Sequence, residues 1–212
     1  MKTKKLVLAG LLLTSIASAF AAPLSVSGYD MINGYTGSYT YWDDTYSGSG
    51  STTTDGAALS GGKGQLTDGI KATTNWYVAE APAGPGPYVG WANVNPLIHF
   101  HFGALVTINT ISFNFDDANG AGGVSSPASV TIGGNTYSVA DPAGDAPFQF
   151  DVTGLNLNLA DLDISINRNN QWVFVSEISF DGSSRGSSIP EPGSLALLGL
   201  GLFGLAKLRR RN

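Results

Sequence analysis

The residues of this 212-residue chain whose types could do chemistry are few. They are two histidines, His99 and His101, two carboxylate pairs, Asp43-Asp44 and Asp116-Asp117, and the separate carboxylates Asp68 and Glu177. Residues two apart on a strand project from one face, so His99 and His101 would present two imidazoles together, a pair suited to zinc or copper. No third nitrogen or sulfur donor lies within sequence reach of them. Hydrolysis by two carboxylates needs a set separation across a cleft, which adjacency along the chain does not supply; both Asp pairs therefore read as solvated loops. The chain contains no phosphate loop or His-Glu-x-x-His motif. It also has no cysteine, which excludes thiolate chemistry, Cys-ligated metals and disulfides. The expectation is a protein that is not an enzyme.

Aromatic side chains are the other chemically expressive group. Tyr39, Tyr41, Trp42 and Tyr46 lie near loops, and Trp76, Tyr77, Tyr88 and Trp91 bracket a proline-rich segment over residues 81–87. An exposed ring offers an apolar face with a polar edge, the property needed to stack on a sugar. Trp42, Tyr77 and Trp91 are the candidate ligand contacts, while Trp172 and Phe174 are assigned to the core.

The elements that must hold these groups read as strands. Residues 35–46 are aromatic and β-prone and are followed by a mobile Gly/Ser/Thr-rich surface loop over 47–64. Further strands fall at residues 88–91, 96–103 and 107–115, and in the last two apolar and polar residues alternate. Ile98, Phe100 and Phe102 share one face there, and His99 and His101 the other. Residues 128–132 and 136–139 flank Gly133-Gly134-Asn135, a hairpin pattern. Strands at 148–152, 162–166 and 172–180 complete the set. The spacing predicts an all-β fold, an antiparallel jelly-roll β-sandwich of about eight strands.

Leu66-Thr-Asp-Gly69, Thr73-Thr74-Asn75-Trp76 and the closing Trp172-Val-Phe-Val-Ser-Glu-Ile-Ser-Phe-Asp-Gly182, with Ile98-His-Phe-His-Phe-Gly103 between them, resemble the galactose-binding-like jelly roll of discoidin and coagulation-factor C domains and of many bacterial carbohydrate-binding modules. The resemblance covers roughly residues 35–182. It implies a structural Ca²⁺ held by Asp68, Thr73 or Thr74, and Glu177 with backbone carbonyls, and an extracellular polysaccharide or glycan as ligand. Calcium takes six to eight oxygens in irregular geometry, which an acidic, thiol-free domain can offer. The sequence departs from the family pattern at His101, where an Asp is common. Asp68-Gly69 forming a plain turn, with Glu177 facing solvent, is the competing reading.

Both ends are processing segments. Lys2, Lys4 and Lys5, the apolar residues 6–16 and the small residues around Ala19 to Ala22 read as a signal peptide over 1–22. At the other end, Pro190-Glu191-Pro192, an apolar run over 195–208 and Arg209-Arg210-Arg211 resemble the PEP-CTERM sorting signal of Gram-negative bacteria. That resemblance implies recognition and cleavage by an exosortase-type enzyme at the inner membrane. Residues 193–208, at about 1.5 Å per residue, cover roughly 24 Å, so spanning a hydrocarbon core of about 30 Å requires thinning or snorkelling. The arginines favour a cytoplasmic C-terminus. A tail anchor that is never removed is the alternative to cleavage.

The expected division is thus 1–22 signal peptide, 23–182 sandwich, 183–189 linker and 190–212 sorting helix. Between the two ends only Lys63, Lys71, Arg168 and Arg185 oppose fifteen carboxylates, a net charge of −11 where the whole chain carries −5. Such a surface repels nucleic acid and anionic membranes and attracts divalent cations. The chain is expected to be exported, membrane-associated through its tail before cleavage, and then delivered to the cell surface or extracellular matrix. A structural biofilm-matrix protein with no specific ligand is the second reading.

Overall fold

The structure, a computed structural model, describes residues 22–81 and 84–184. The described part of the chain folds as an all-β antiparallel jelly-roll sandwich of nine strands: β1 (Ala22–Leu24), β2 (Gly28–Ile32), β3 (Ala58–Gly62), β4 (Val89–Ala92), β5 (Leu97–Phe115), β6 (Ser129–Ile132), β7 (Asn135–Ser138), β8 (Phe148–Asn167) and β9 (Trp172–Ser184). A single helical turn, α1 (Trp76–Ala79), precedes β4. All of the strand ladders are antiparallel.

Two long strands create both layers. The spacing suggests separate strands over 96–103 and 107–115, yet β5 runs through both and bends between them. Its ladder with β8 breaks after His101↔Asp161 and resumes at Val106↔Leu159. Gly103 sits in that gap at φ +70°, a conformation in which a side chain is disfavoured. Before the bend β5 pairs with β2, and after it the same edge pairs with β9. One layer is therefore β3-β2-β5-β8-β6-β7, and the other is built by β9 with β1, β4 and the far halves of β5 and β8.

The alternation in β5 does what its sequence predicts. Ile98 and Phe100 are fully buried and His99 and His101 are partly exposed on the opposite face. Phe100 and Phe102 meet Phe180 of β9 edge-on at 4.9 and 5.1 Å, which ties one layer to the other. Burying each such ring contributes roughly 1.5–3 kcal/mol, with an edge-to-face term of about 0.5–1.5 kcal/mol in addition.

Other expectations change. Residues 35–46 form turns rather than a strand, because side chains capture the backbone: Asn33 Oδ1 accepts the N–H of Gly34 and of Asp43, both at 2.8 Å, and Asp55 Oδ1 accepts the N–H of Thr36 at 2.6 Å. The Gly-rich segment after it is structured. It contains β3, which pairs with β2, and Ser49 bridges Ser60. At the domain ends, Ala22 pairs with Gly182 and β9 continues to Ser184, two residues into the expected linker. Residues 1–21 and 185–212, hence nearly all of the signal peptide and the whole sorting segment, lie outside the described residues. Among the described residues no helix is long and apolar enough to cross a membrane.

Candidate functional site: an aromatic cleft and an acidic cleft

The aromatic residues gather around α1. Asn75 leads into it and donates its side-chain amide to the carbonyls of Asp117 at 3.1 Å and Asp145 at 2.7 Å, which fixes the turn against two loops. The first helical N–H, that of Trp76, is taken by Asp116 Oδ2 at 3.0 Å, so a carboxylate sits where a helix start is electropositive. Burial pushes the Asp116 carboxyl up to about 7, against the pull of that hydrogen bond and with further upward pressure from Asp117. Asp43, Asp116 and Asp117 are fully buried rather than solvated, correcting the reading of the Asp pairs as exposed loop residues. A single sequence carries no mark of this, because the partners come from α1 and from distant loops.

Positioned this way, Trp76 stacks on Phe174 at 5.8 Å and 18°, and Trp172 stacks on Phe174 at 5.5 Å and 28°. Tyr41 meets Trp76, Trp172 and Phe174 edge-on. The result is a cleft of about 230 Å³ floored by Trp76, Trp172, Tyr41 and Phe174 and rimmed by Tyr39 and Gln171. Tyr39 is 49% exposed, and its hydroxyl and the Gln171 amide supply polar groups at the edge. Gly122 closes one side at φ +61°, where a Cβ would stand 2.5 Å from Cζ2 of Trp76, so only glycine lets the loop approach the indole this closely. Trp172 and Phe174 are buried, as the sequence predicts, and they also floor this cleft.

The three aromatic candidates from the sequence separate. Tyr77, on α1 beside Trp76, is 46% exposed and meets that indole edge-on at 5.9 Å, next to the cleft. Trp42 is half-buried and its indole N–H donates to Asp55 Oδ1 at 3.3 Å, outside the cleft lining. Trp91 is corrected: it is fully buried in β4, with its indole N–H given to the Ile32 carbonyl at 3.1 Å. Its strand is buried at all four positions, so no alternation in the sequence distinguished a core ring from a surface one.

The acidic candidates are partly united. Asp68 and Glu177 line a second cleft of about 410 Å³ at the β9 edge. Glu177 Oε2 accepts the N–H of Gly69 at 3.0 Å, and Asp68 Oδ1 accepts that of Ile70 at 2.8 Å. Glu177 is nearly buried, not solvent-facing; burial raises its carboxyl to about 7, with Asp68 adding to the rise while the Gly69 N–H and Lys71 oppose it. The Thr67 hydroxyl, in the same lining, is buried without a hydrogen-bond partner among the described residues. Two crowded carboxylates and an unsatisfied hydroxyl are a donor set that fits a hard, oxygen-seeking cation. Thr73 and Thr74 are exposed and do not line this cleft; the Thr74 carbonyl instead accepts the Tyr88 hydroxyl at 3.0 Å.

Comparison with known proteins adds to this. The family described as the PEP-CTERM protein-sorting motif matches residues 188–211, so the chain carries a C-terminal sorting signal of exported proteins. No curated protein matches the chain. Among solved structures, the CBM32 of AlyQ in complex with 4,5-unsaturated mannuronic acid is 11% identical, covers 75% of this chain and 97% of that one, and has a TM-score of 0.39. The family 32 CBM from C. perfringens NanJ in complex with galactose is 10% identical, covers 44% and 75%, and has a TM-score of 0.31. A family 89 glycoside hydrolase from Clostridium perfringens is 20% identical, with 60% of this chain and 14% of that chain covered and a TM-score of 0.33.

Proposed function

We propose that this exported protein is a non-enzymatic glycan-binding module that an exosortase-type enzyme processes at the inner membrane and delivers to the cell surface or matrix. The observation that carries the binding reading is the cleft floored by Trp76 and Trp172 and rimmed by Tyr39 and Gln171. Aromatic faces with hydrogen-bonding groups at their edge match a sugar, whose two faces are apolar and whose perimeter is hydroxylated. At about 230 Å³ the cleft is smaller than the roughly 300–1,000 Å³ of drug-sized sites, so it seats a single ring of a longer chain. A net charge of −11 between the processing segments favours neutral polysaccharides over polyuronates.

The acidic cleft supports a structural role for Ca²⁺. Asp68, Glu177 and Thr67 would hold it together with carbonyl oxygens, and the ion would neutralise the buried Glu177 and its exposed neighbour Asp68. It would act on stability and on the placing of β9, not on any reaction.

The binding reading is tested with insoluble neutral galactan and glucan as probes. Saturable retention of the full chain, lost in Trp76→Ala with the circular dichroism spectrum unchanged, supports it. Retention of wild type and variant alike places the binding outside this cleft, and retention of neither leaves the structural-matrix reading in its place.

A further inference from the structure

We infer that the outer face of the β2–β5–β8 layer is a binding site for a divalent transition-metal ion of the zinc or copper class, with His99, His101 and Asp161 as ligands. The two histidines occupy alternate positions of β5, and register places a carboxylate opposite each: His99 faces Asp163 and His101 faces Asp161 across to β8. From the other edge β2 brings Asp30 to the level of His99. Three strands thus aim five ionisable side chains at one patch. Chain order hides this, because the carboxylates lie about 60 to 70 residues from the imidazoles.

The spacing is that of ligands. One donor atom each from His99, His101 and Asp161 lie within 4.8 Å of one another. The imidazole rings stand 4.7 Å apart at 74°, edge to face and not stacked. His101 Nδ1 is 2.8 Å from Asp161 Oδ1, and its Nε2 is 3.2 Å from Asp30 Oδ2. Neighbouring ligands on a tetrahedral ion with bonds of about 2.0–2.2 Å stand roughly 3.3 Å apart. An ion seated between His101 and Asp161 therefore needs only a small side-chain shift. Asp163 is hydrogen-bonded to Nδ1 of His99, which leaves Nε2 of that ring as the donor and orients it, the usual job of a carboxylate behind a metal-bound histidine.

Charge favours the same conclusion. Asp30, Asp161 and Asp163 supply three negative charges against two imidazoles that are neutral as ligands. Among the described residues, the ion pairs are those that His99 and His101 make with these three carboxylates; no Lys or Arg pairs with a carboxylate. Nitrogen donors distinguish the patch from the all-oxygen cleft at Asp68 and Glu177, and it shares no residue with the aromatic cleft.

The test uses untagged full-length protein stripped of metal, titrated with Cu²⁺ and followed by electron paramagnetic resonance, and with Zn²⁺ followed by calorimetry. One equivalent is expected to bind, with splitting from two imidazole nitrogens in the copper spectrum, and equimolar Ca²⁺ is not expected to displace it. His99→Gln and His101→Gln should each weaken Zn²⁺ at least tenfold, and Asp163→Asn by about 10–100-fold. These side chains face outward, so circular dichroism should be unchanged. Absence of saturable binding, a copper signal without nitrogen splitting, or undiminished affinity in the double His variant overturns the site.

Discussion

The Tyr29 hydroxyl donates to Asp43 Oδ2 inside the core, where both residues are fully buried. The other oxygen of Asp43 accepts the Gln65 N–H at 2.8 Å, so one carboxyl joins β2 to the loop before α1. Burial pushes Asp43 up to about 6 although both hydrogen bonds pull it down, and burial together with Asp43 raises the Tyr29 phenol. Tyr29→Phe removes one donor and leaves an acceptor stranded, which costs about 1–3 kcal/mol. Urea denaturation is expected to show that loss with an unchanged m-value, and a variant as stable as wild type would mean that the bond contributes nothing.

Acidification should stabilise the domain. Glu80 and Asp116 are raised to about 7, each chiefly by burial and further by neighbouring carboxylates, and Asp43 to about 6. In the unfolded chain these groups titrate near 4. The folded state therefore binds more protons in between, so their contribution is full below about pH 4 and is lost as pH rises through 6 to 7. Asp55 has the opposite sign: despite partial burial, hydrogen bonds from Thr36, Gly37 and Trp42 hold it low, and its contribution is lost only in stronger acid. Calorimetry in chelated buffer should give a Tm several degrees higher at pH 5 than at pH 8, with the difference reduced in Glu80→Gln. A Tm that falls over that interval contradicts the assignment.

Calcium should raise the Tm of wild-type protein, by the equivalent of about 2.7 kcal/mol at a hundredfold excess over Kd. Glu177→Gln and Asp68→Asn should lose that response, because each removes a charged oxygen from the acidic cleft. An equal response in the variants places any bound calcium elsewhere.

The strand pattern was largely legible because alternation is strict where one face is buried, as in Ile98, Phe100 and Phe102 against His99 and His101. β2 carried the same signal in Tyr29, Asp30 and Met31, in which the outer two are buried and Asp30 points outward, but five residues among glycines are easily passed over. The bend that makes β5 one strand was not readable, since Gly103 looks the same at a bend as at a strand end. At the sites, Asp68 and Glu177 were paired only through the family resemblance, and both line one cleft. None of the candidate rings Trp42, Tyr77 and Trp91 lines the aromatic cleft, because burial depends on which strand covers which, and the carboxylates around His99 and His101 arrive only through strand register.

The tail has its own expectation. Coexpressed with an exosortase, the wild-type chain should appear by mass spectrometry without its residues beyond the Pro-Glu-Pro motif, and Glu191→Ala should accumulate at full precursor mass. Full-length wild type under the same conditions would make the tail a permanent anchor.

Stacking of a sugar ring on Trp76 is read from the dissociation constant for a soluble neutral galactan. Trp76→Ala removes the platform, and Gly122→Ala drives a methyl group to 2.5 Å from the same indole without removing any aromatic ring. Both should weaken binding at least tenfold, about 1.4 kcal/mol, while Trp42→Phe, outside the cleft, stays at the wild-type value. Undetectable wild-type binding, or wild-type affinity in both cleft variants, would rule out a sugar on this ring.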